Sequence, residues 1–256
     1  MSDRGSAKTV VIDCFPESVE RYRDRDALVA IDVIRATTTA VTAIATGRRC
    51  FPVPTLEEAT EVAAGLVNPL LAGELGGNTP YGFDLTNSPA EIALRTDRER
   101  PMVLLSTSGT RVICGGSESQ TTYVACLRNV TAQVRHLSEY HSSVAIIGAG
   151  ARGEFREEDA LCCAWIAEGL IGAGFQPEDE NTASQVRRWH NAPAGAIADG
   201  HSAEYLRRTG QTKDLMFILA HLDDLDQVYP YNAGEIVEWD AGGSRASSDT
   251  RKRIAW

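Results

Sequence analysis

Residues 29–39 read Val-Ala-Ile-Asp-Val-Ile-Arg-Ala-Thr-Thr-Thr, and no other part of the chain is as informative about its fold. Its apolar, β-branched run ends at Asp32 and predicts a buried strand. Three hydroxyl side chains then open an Ala-rich segment, which predicts a helix. A strand that ends in a carboxylate and leads directly into a helix is typical of the repeating unit of an α/β sheet.

The rest of the chain alternates between strand-like and helix-like segments in the same way. Strands are predicted at 8–13, 28–33, 49–53, 69–72, 101–106, 121–126, 143–148 and 226–230. Helices are predicted at 36–46, 55–66, 88–94, 110–115, 129–139, 156–171, 182–190 and 201–208. We therefore predict a three-layer α/β/α fold with a largely parallel or mixed sheet.

Residues 1–240 are expected to form one domain. A loose likeness between 28–46 and 143–171 leaves open two related halves, near 1–125 and 126–240. The polar segment 176–181 predicts a linker, and the Gly- and Ser-rich segment 241–256 predicts a disordered tail.

The composition excludes several classes of protein. The formal net charge is −10, which argues against a nucleic-acid partner. No apolar run reaches the roughly 18 residues that a membrane span needs. The six cysteines form no Cys-x-x-Cys pair and lie mostly in apolar segments, so we expect free thiols. The N-terminus lacks the apolar core of a signal peptide, and we expect a cytoplasmic protein.

Four polar turns follow predicted strands, and in an open α/β sheet ligands bind beyond the carboxyl ends of the strands. The turns are 32–39, 73–89, 106–111 and 148–159. They carry carboxylates, hydroxyls and arginines. Helix N-termini attract anions and carboxylate oxygen suits Mg²⁺, so the turns together predict a site for a phosphorylated, multiply anionic ligand with a metal.

Each turn also has a purely structural interpretation. Asp32 is equally well suited to cap the following helix. Ser88 fits an N-cap, with Pro89 and Glu91 behind it, and this interpretation is favoured for Ser88. Residues 107–110 fit an ordinary turn, and Glu157 is best explained as complementing a helix dipole.

Gly148-x-Gly150-x-x-Gly153 matches a dinucleotide fingerprint and makes a nucleotide-dependent oxidoreductase one alternative. Its position in the middle of the chain and the negative charge of Glu154 argue against it. No Cys is followed six residues later by Arg, Arg-His-Gly does not occur, and Asp-x-Asp occurs only at 24–26 and 224–226, neither directly after a buried strand, so a phosphatase with a covalent intermediate is unsupported. A hydrolase of this chain would therefore use a metal-activated water.

Together the turns resemble the 2-phosphosulfolactate phosphatase family, which is associated with coenzyme M biosynthesis. The resemblance covers about residues 8–240 and rests on 31–39, 71–74, 82–89, 107–111, 149–155 and Glu158-Asp159, with weaker matches at Asp214, Asp223 and Pro230. Three positions depart from the family pattern: Ser108 replaces Asn, Ala151 replaces Thr, and Arg128 adds a cation.

The resemblance implies Mg²⁺-dependent release of phosphate from (R)-2-phospho-3-sulfolactate or a related 2-phosphocarboxylic acid. The small-molecule partner would carry phosphate, carboxylate and sulfonate groups. The departures leave a non-catalytic binder of phosphorylated acids as a second alternative. A symmetric homodimer is compatible with a metabolic enzyme.

A hypothesis for the site follows from these residues. The pool of Mg²⁺ ligands is Asp32, Glu74, Asp84 and Asp159. The catalytic residues are Asp32, Arg35, Arg111 and Glu158, the last of which orients the attacking water. The substrate-binding residues are Thr38, Thr39, Asn87, Ser88, Ser108, Gly109, Thr110, Arg128, Gly150, Arg152 and Gly153.

Overall fold

A computed structural model describes residues 7–116 and 120–239, which include ten strands in one mixed sheet. The strands are β1 Thr9–Cys14, β2 Ala27–Ile31, β3 Cys50–Val53, β4 Leu70–Gly73, β5 Met102–Leu105, β6 Thr121–Ala125, β7 Ser143–Gly148, β8 Gln176–Pro177, β9 Tyr229–Asn232 and β10 Glu235–Ile236. The helices are α1 Ala36–Ala45, α2 Leu56–Ala64, α3 Pro89–Leu94, α4 Gly109–Cys114, α5 Val130–Tyr140, α6 Glu157–Gly172, α7 Glu180–Trp189, α8 His201–Arg208 and α9 Thr212–Ala220. The predicted tail at 241–256 lies outside the described residues.

The sheet order is β4-β5-β3-β10-β9-β6-β2-β7-β1-β8, which contains two parallel blocks. One block is β4, β5 and β3, and the other runs from β6 to β8. The β9–β10 hairpin joins them through three successive antiparallel pairings, so the two blocks run in opposite directions. The predicted α/β fold with a mixed sheet is confirmed. The internal halves stay a prediction.

Strand β2 shows why helices cover both faces of the sheet. Leu28 and Ala30 pack into one core with α1 and α4. Val29 and Ile31 point the other way, into a core with α5 and α6. All four side chains are fully buried, as expected for a parallel strand between two helical layers.

The carboxyl ends of the two opposed blocks meet because the sheet curls around α1 and α4. Helix α1 packs against β3, β5 and β6, and α4 packs against β2, β3 and β6. Strand twist accumulates across the sheet and allows this wrapping. At Gly109, the first residue of α4, a Cβ atom would collide with the carboxylate of Asp32. Only glycine therefore lets the turn after β5 touch the turn after β2.

The structure differs from the sequence prediction near the C-terminal end. Residues 176–181 are not a linker, because β8 extends the sheet beside β1 and Asp179 caps α7 by accepting a hydrogen bond from Thr182 N. Helix α9 was not predicted, and the last predicted strand, 226–230, falls on β9 at Tyr229–Asn232. All six cysteines are free thiols, as predicted. None of the described helices has the length and apolarity to cross a membrane.

Candidate active site

A cavity of about 460 Å³ opens where the turns after β2, β4, β5 and β7 meet. Each of the four polar turns contributes to its lining, through Asp32, Glu74, Ser108 and Gly150. Helix α8 forms a further wall. The sequence prediction that these turns share one site is therefore correct in its placement.

Asp159 fixes the floor of the cavity. Its Oδ1 accepts a hydrogen bond from Val33 N (2.8 Å) and its Oδ2 accepts one from Gly150 N (3.1 Å). The φ of Gly150 is +59°, a conformation that glycine adopts readily. One buried carboxylate thus ties the turn after β2 to the turn after β7. Burial, together with the charges of Asp32 and Glu158, raises its pKa well above the usual range.

Asp32 and Glu158 lie beside Asp159 on the same floor. Burial, and then the charge of Glu74, raises the pKa of Asp32 to about 7. Burial likewise raises the pKa of Glu158, against a hydrogen bond from Ser202. The Oε2 atom of Glu158 is buried and has no hydrogen-bond partner among the described residues. The floor is therefore a cluster of mutually repelling carboxylates that a cation would stabilise.

Glu74 lines the cavity but its oxygens are already engaged. Its Oε1 accepts a hydrogen bond from Thr107 N (2.7 Å), while its Oε2 accepts from Thr107 Oγ1 (2.9 Å) and Gly77 N (2.8 Å). The side chain ties the turn after β4 to the turn after β5. Glu74 therefore positions the two turns, and it stays in the pool of candidate metal ligands because its Oε1 accepts one hydrogen bond and keeps a free lone pair.

Arg35 is buried at the cavity wall and held by α9. Its Nη1 donates to Asp214 Oδ2 and to Gln211 Oε1, both at 2.6 Å, and its Nη2 donates to Thr86 Oγ1 at 3.3 Å. Asp214 is fully buried and also accepts a hydrogen bond from Ser88 Oγ. Nε–H and one Nη2–H of Arg35 have no acceptor among the described residues, and Arg35 lines the cavity, so both N–H groups are available to an oxyanion.

Several predicted site residues do not line the cavity. Asp84 accepts hydrogen bonds from Leu71 N (2.9 Å) and Arg100 Nη2 (3.0 Å) on the far side of β4, which removes it from the candidate metal ligands. Arg111 is turned outward by α4 and pairs with Glu17 at 3.2 Å. These two placements correct the sequence hypothesis.

Arg128 is also directed away from the cavity. Its guanidinium is buried, donates two hydrogen bonds to Asp224 (2.8 and 2.9 Å), and donates a third to Thr42 Oγ1 (3.0 Å). It therefore anchors the segment before β9 against α1. The cation that departs from the family pattern has a structural role here.

The predicted hydroxyl cradle is mostly structural as well. The hydroxyls of Thr38, Thr39 and Thr110 are buried and donate to backbone carbonyls, a common alternative for threonine in a first helical turn. Ser88 caps α3 by accepting a hydrogen bond from Glu91 N, as its structural interpretation predicts. Gly109 touches Asp32, and Gly153 lies outside the lining.

The remaining predicted residues do reach the cavity. They are Asn87, Ser108, Gly150 and Arg152. Ser108 precedes α4 without forming a side-chain cap, so its hydroxyl stays available to a ligand. Arg152 is exposed and has a φ of +54°, in a turn closed by hydrogen bonds between Ala151 and Glu154.

Sequence reasoning missed the wall that α8 forms. His201, Glu204, Tyr205 and Arg208 line the cavity. They recur at i, i+3, i+4 and i+7 and therefore share one helical face. Tyr205 Oη donates to Gly77 O at 2.8 Å, which fixes this face over the turn after β4. This spacing is the one sequence signal for the wall, but polar residues at the same spacing also occur on helix faces that only contact solvent.

Arg156 was also missed as a lining residue. Its Nη1 donates to Glu154 Oε2 (2.7 Å) and lies 3.0 Å from His201 Nδ1. It connects the start of α6 to the start of α8. The glycine turn before it does not resemble a dinucleotide site, because α6 begins only at Glu157 and carries three acidic residues in its first turn.

The fold and the site define a class: an α/β protein whose strand-end turns gather buried carboxylates and arginines around a cavity suited to a small anion. Residues 14–233 match the family model described as 2-phosphosulpholactate phosphatase. The chain therefore belongs to the 2-phosphosulfolactate phosphatase family, and the resemblance found in its sequence is confirmed. Members of this family are phosphoric monoester hydrolases, and this chain is an enzyme of that class.

Similar proteins come from several organisms, and each of the following is named "Probable 2-phosphosulfolactate phosphatase". A Caldanaerobacter subterraneus protein is 31% identical over 83% of this chain and 92% of its own length. A Symbiobacterium thermophilum protein is 34% identical over 82% of this chain and 92% of its own length. A Deinococcus radiodurans protein is 37% identical over 80% of this chain and 85% of its own length. The likeness thus covers most of both chains.

Proposed function

We propose that this chain hydrolyses the phosphate monoester of 2-phospho-3-sulfolactate or a closely related 2-phosphocarboxylic acid. One observation carries the proposal. The carboxylate floor and Arg35, which has two unused N–H donors, line the same cavity. The names of the relatives support the substrate class.

The floor fits Mg²⁺ by the chemistry of its donors. Across residues 7–116 and 120–239, no group of three His, Cys, Asp or Glu side chains is already arranged to hold a metal ion. Mg²⁺ usually takes only one or two protein carboxylates and keeps several waters. Asp32 and Asp159 would hold it, since each oxygen of Asp159 retains a free lone pair beside its backbone hydrogen bond. Bound there, Mg²⁺ would polarise a phosphoryl oxygen and acidify a water.

The chain's own residues would supply the remaining chemistry. Arg35 donates Nε–H and Nη2–H to two phosphoryl oxygens, which offsets the charge of a loose transition state. Asp214 and Gln211 hold the guanidinium in place for this contact. Glu158, with its unpartnered Oε2, accepts a proton from the attacking water as the bond between phosphorus and the ester oxygen breaks, and the leaving alkoxide takes up a proton to become the hydroxyl of the 2-hydroxy acid.

A phosphate-release assay tests the proposal. Substrates are 2-phospho-3-sulfolactate, 2-phospholactate and phosphoglycolate, each with Mg²⁺ and with EDTA. Metal-dependent release supports the proposal. Absence of release from all three, together with calorimetric binding of 2-phospholactate, would establish the alternative of a non-catalytic binder.

Three finer expectations stay predictions. The free thiols are compatible with a reducing compartment and so with the cytoplasm. A symmetric homodimer is the commonest assembly among soluble oligomers, and light scattering would reveal it. A place in coenzyme M biosynthesis depends on whether 2-phospho-3-sulfolactate is the preferred acid in the release assay.

A further inference from the structure

The arginines that line the cavity fall into two groups. The side chains of Arg35 and Arg156 are largely shielded from solvent. Arg35 forms an ion pair with Asp214, and Arg156 forms one with Glu154. Arg152 and Arg208 are exposed and make no hydrogen bond or ion pair within the described part of the chain. An arginine that lines a cavity with all its donors unused is available to an anionic ligand.

The second group lies on two different elements at the cavity mouth. Arg152 projects from the turn between β7 and α6, where its φ of +54° is a conformation that only a few per cent of residues other than glycine adopt. Arg208 ends the cavity-facing side of α8, one turn beyond Tyr205, whose hydroxyl binds Gly77 O. Strained backbone of this kind is often found at ligand sites.

Charge determines which part of a substrate can lie at this mouth. The floor is lined by the carboxyl groups of Asp32, Glu158 and Asp159, so an anion placed there needs a bridging cation. A phosphate can bridge to Mg²⁺ on the floor. A sulfonate is a much weaker base and a poor metal ligand, but its oxygens accept the paired N–H donors of arginine well.

Glu204 is the carboxylate at the mouth that could neutralise this subsite. It lies one turn before Arg208 on the same face of α8. The structure nevertheless shows no ion pair between the two side chains, and Glu154 is already paired with Arg156. The two arginines therefore keep their positive charge available to a ligand.

We propose that Arg152 and Arg208 form a subsite for the sulfonate group of the substrate and set the preference of the enzyme for sulfonated over plain 2-phosphocarboxylic acids. This inference rests on the proposed function and adds a specificity determinant to it. Because both residues are exposed and neither belongs to the carboxylate floor, they should act on substrate binding and not on the chemical step.

The test compares two substrates that differ in the sulfonate alone. For 2-phospho-3-sulfolactate, Arg152→Ala and Arg208→Ala should each lower kcat/KM by about tenfold or more, through KM with kcat retained. For 2-phospholactate, which has a methyl group in place of the sulfomethyl group, the change should stay below about threefold. Arg207→Ala is the matched control, because Arg207 is exposed on α8 and lies outside the cavity lining.

Equal losses on the two substrates, or no loss on either, would overturn the subsite. If no acid in the panel releases phosphate, the proposed function fails but the subsite remains testable by calorimetric titration with 3-sulfolactate. The unsubstituted chain and Arg207→Ala should then bind 3-sulfolactate at least about tenfold more tightly than the other two variants. Equal affinity in all four proteins would reject the subsite.

Discussion

The floor and the α8 wall of the cavity are built on different principles. Floor carboxylates such as Asp159 are buried and held by backbone N–H groups from two strand-end turns. The wall presents exposed side chains from one short helix, and Tyr205 anchors it to the turn after β4. If the proposed roles hold, the reaction centre rests on the rigid edge of the sheet, whereas selectivity rests on exposed side chains that can be exchanged without disturbing the core.

The largest effect is expected on the floor. Asp32→Asn should lower kcat/KM for the preferred acid by about 10³-fold or more, a loss of about 4 kcal/mol of transition-state stabilisation, because a ligand charge is removed without a change of shape. Asp84→Asn is the matched control and should retain turnover, since Asp84 lies outside the cavity. Steady-state kinetics at saturating Mg²⁺ measures both. Similar losses in the two variants would contradict the assignment of the floor.

Arg35 connects the floor to α9, and its removal should affect both activity and stability. Arg35→Ala leaves Asp214 buried without its cationic partner, so we expect a loss of about 3 kcal/mol in the free energy of unfolding. Turnover should fall by about 10²-fold or more. Denaturant titration and phosphate release measure the two effects. Arg111→Ala breaks only the exposed ion pair with Glu17. It should change neither the free energy of unfolding nor the activation free energy by more than about 1 kcal/mol.

The cluster of Tyr123, His136 and His141 lies outside the cavity lining, so it should affect stability without affecting catalysis. Tyr123 Oη lies 2.8 Å from Nε2 of both His136 and His141, and burial lowers the pKa of His136 to about 4. Between pH 6.5 and 4 the unfolded chain then binds more protons than the folded chain, so the free energy of unfolding falls as the pH drops. We expect His136 to contribute a decrease of about 2 kcal/mol over this window.

His136→Phe tests that contribution, because phenylalanine keeps the ring but cannot take up a proton. Chemical denaturation at pH 6.5 and pH 4.5 should show a smaller decrease in stability for the variant than for the unsubstituted protein. Turnover at neutral pH should be unchanged, since His136 does not line the cavity. An identical pH dependence in the two proteins would show that His136 does not titrate as argued.

The smallest effect is expected on the wall. Tyr205→Phe removes one hydrogen bond to Gly77 O and should cost about 1 kcal/mol, seen as a rise of up to about fivefold in KM. Tyr140→Phe, an exposed position on α5, is the control. A hundredfold fall in kcat for Tyr205→Phe would instead place the wall in the chemical step.

Much of the fold could be predicted because its strands are locally distinct. Apolar runs such as 143–148 are short, β-branched and bounded by turns, which is enough to predict a buried parallel strand. Helix α9 was missed because residues 212–220 carry apolar side chains with no cap signal, and Gln211 forms no side-chain cap there. The sequence predicts only the first strand of the β9–β10 hairpin, because β10 has two residues and is too short to give a recognisable pattern.

The alternation of strands and helices, the four polar turns, and the carboxylates Asp32 and Asp159 could all be identified from the sequence. Those features depend on local pattern and on the rule that parallel strands end at a common site. Which of the neighbouring side chains face the cavity depends on long-range packing. It selected Arg35 through Asp214, 179 residues away, and turned Arg111 to solvent. The physical reason is that the direction of a side chain is set by partners distant in sequence and by the curl of the sheet, neither of which a local pattern contains.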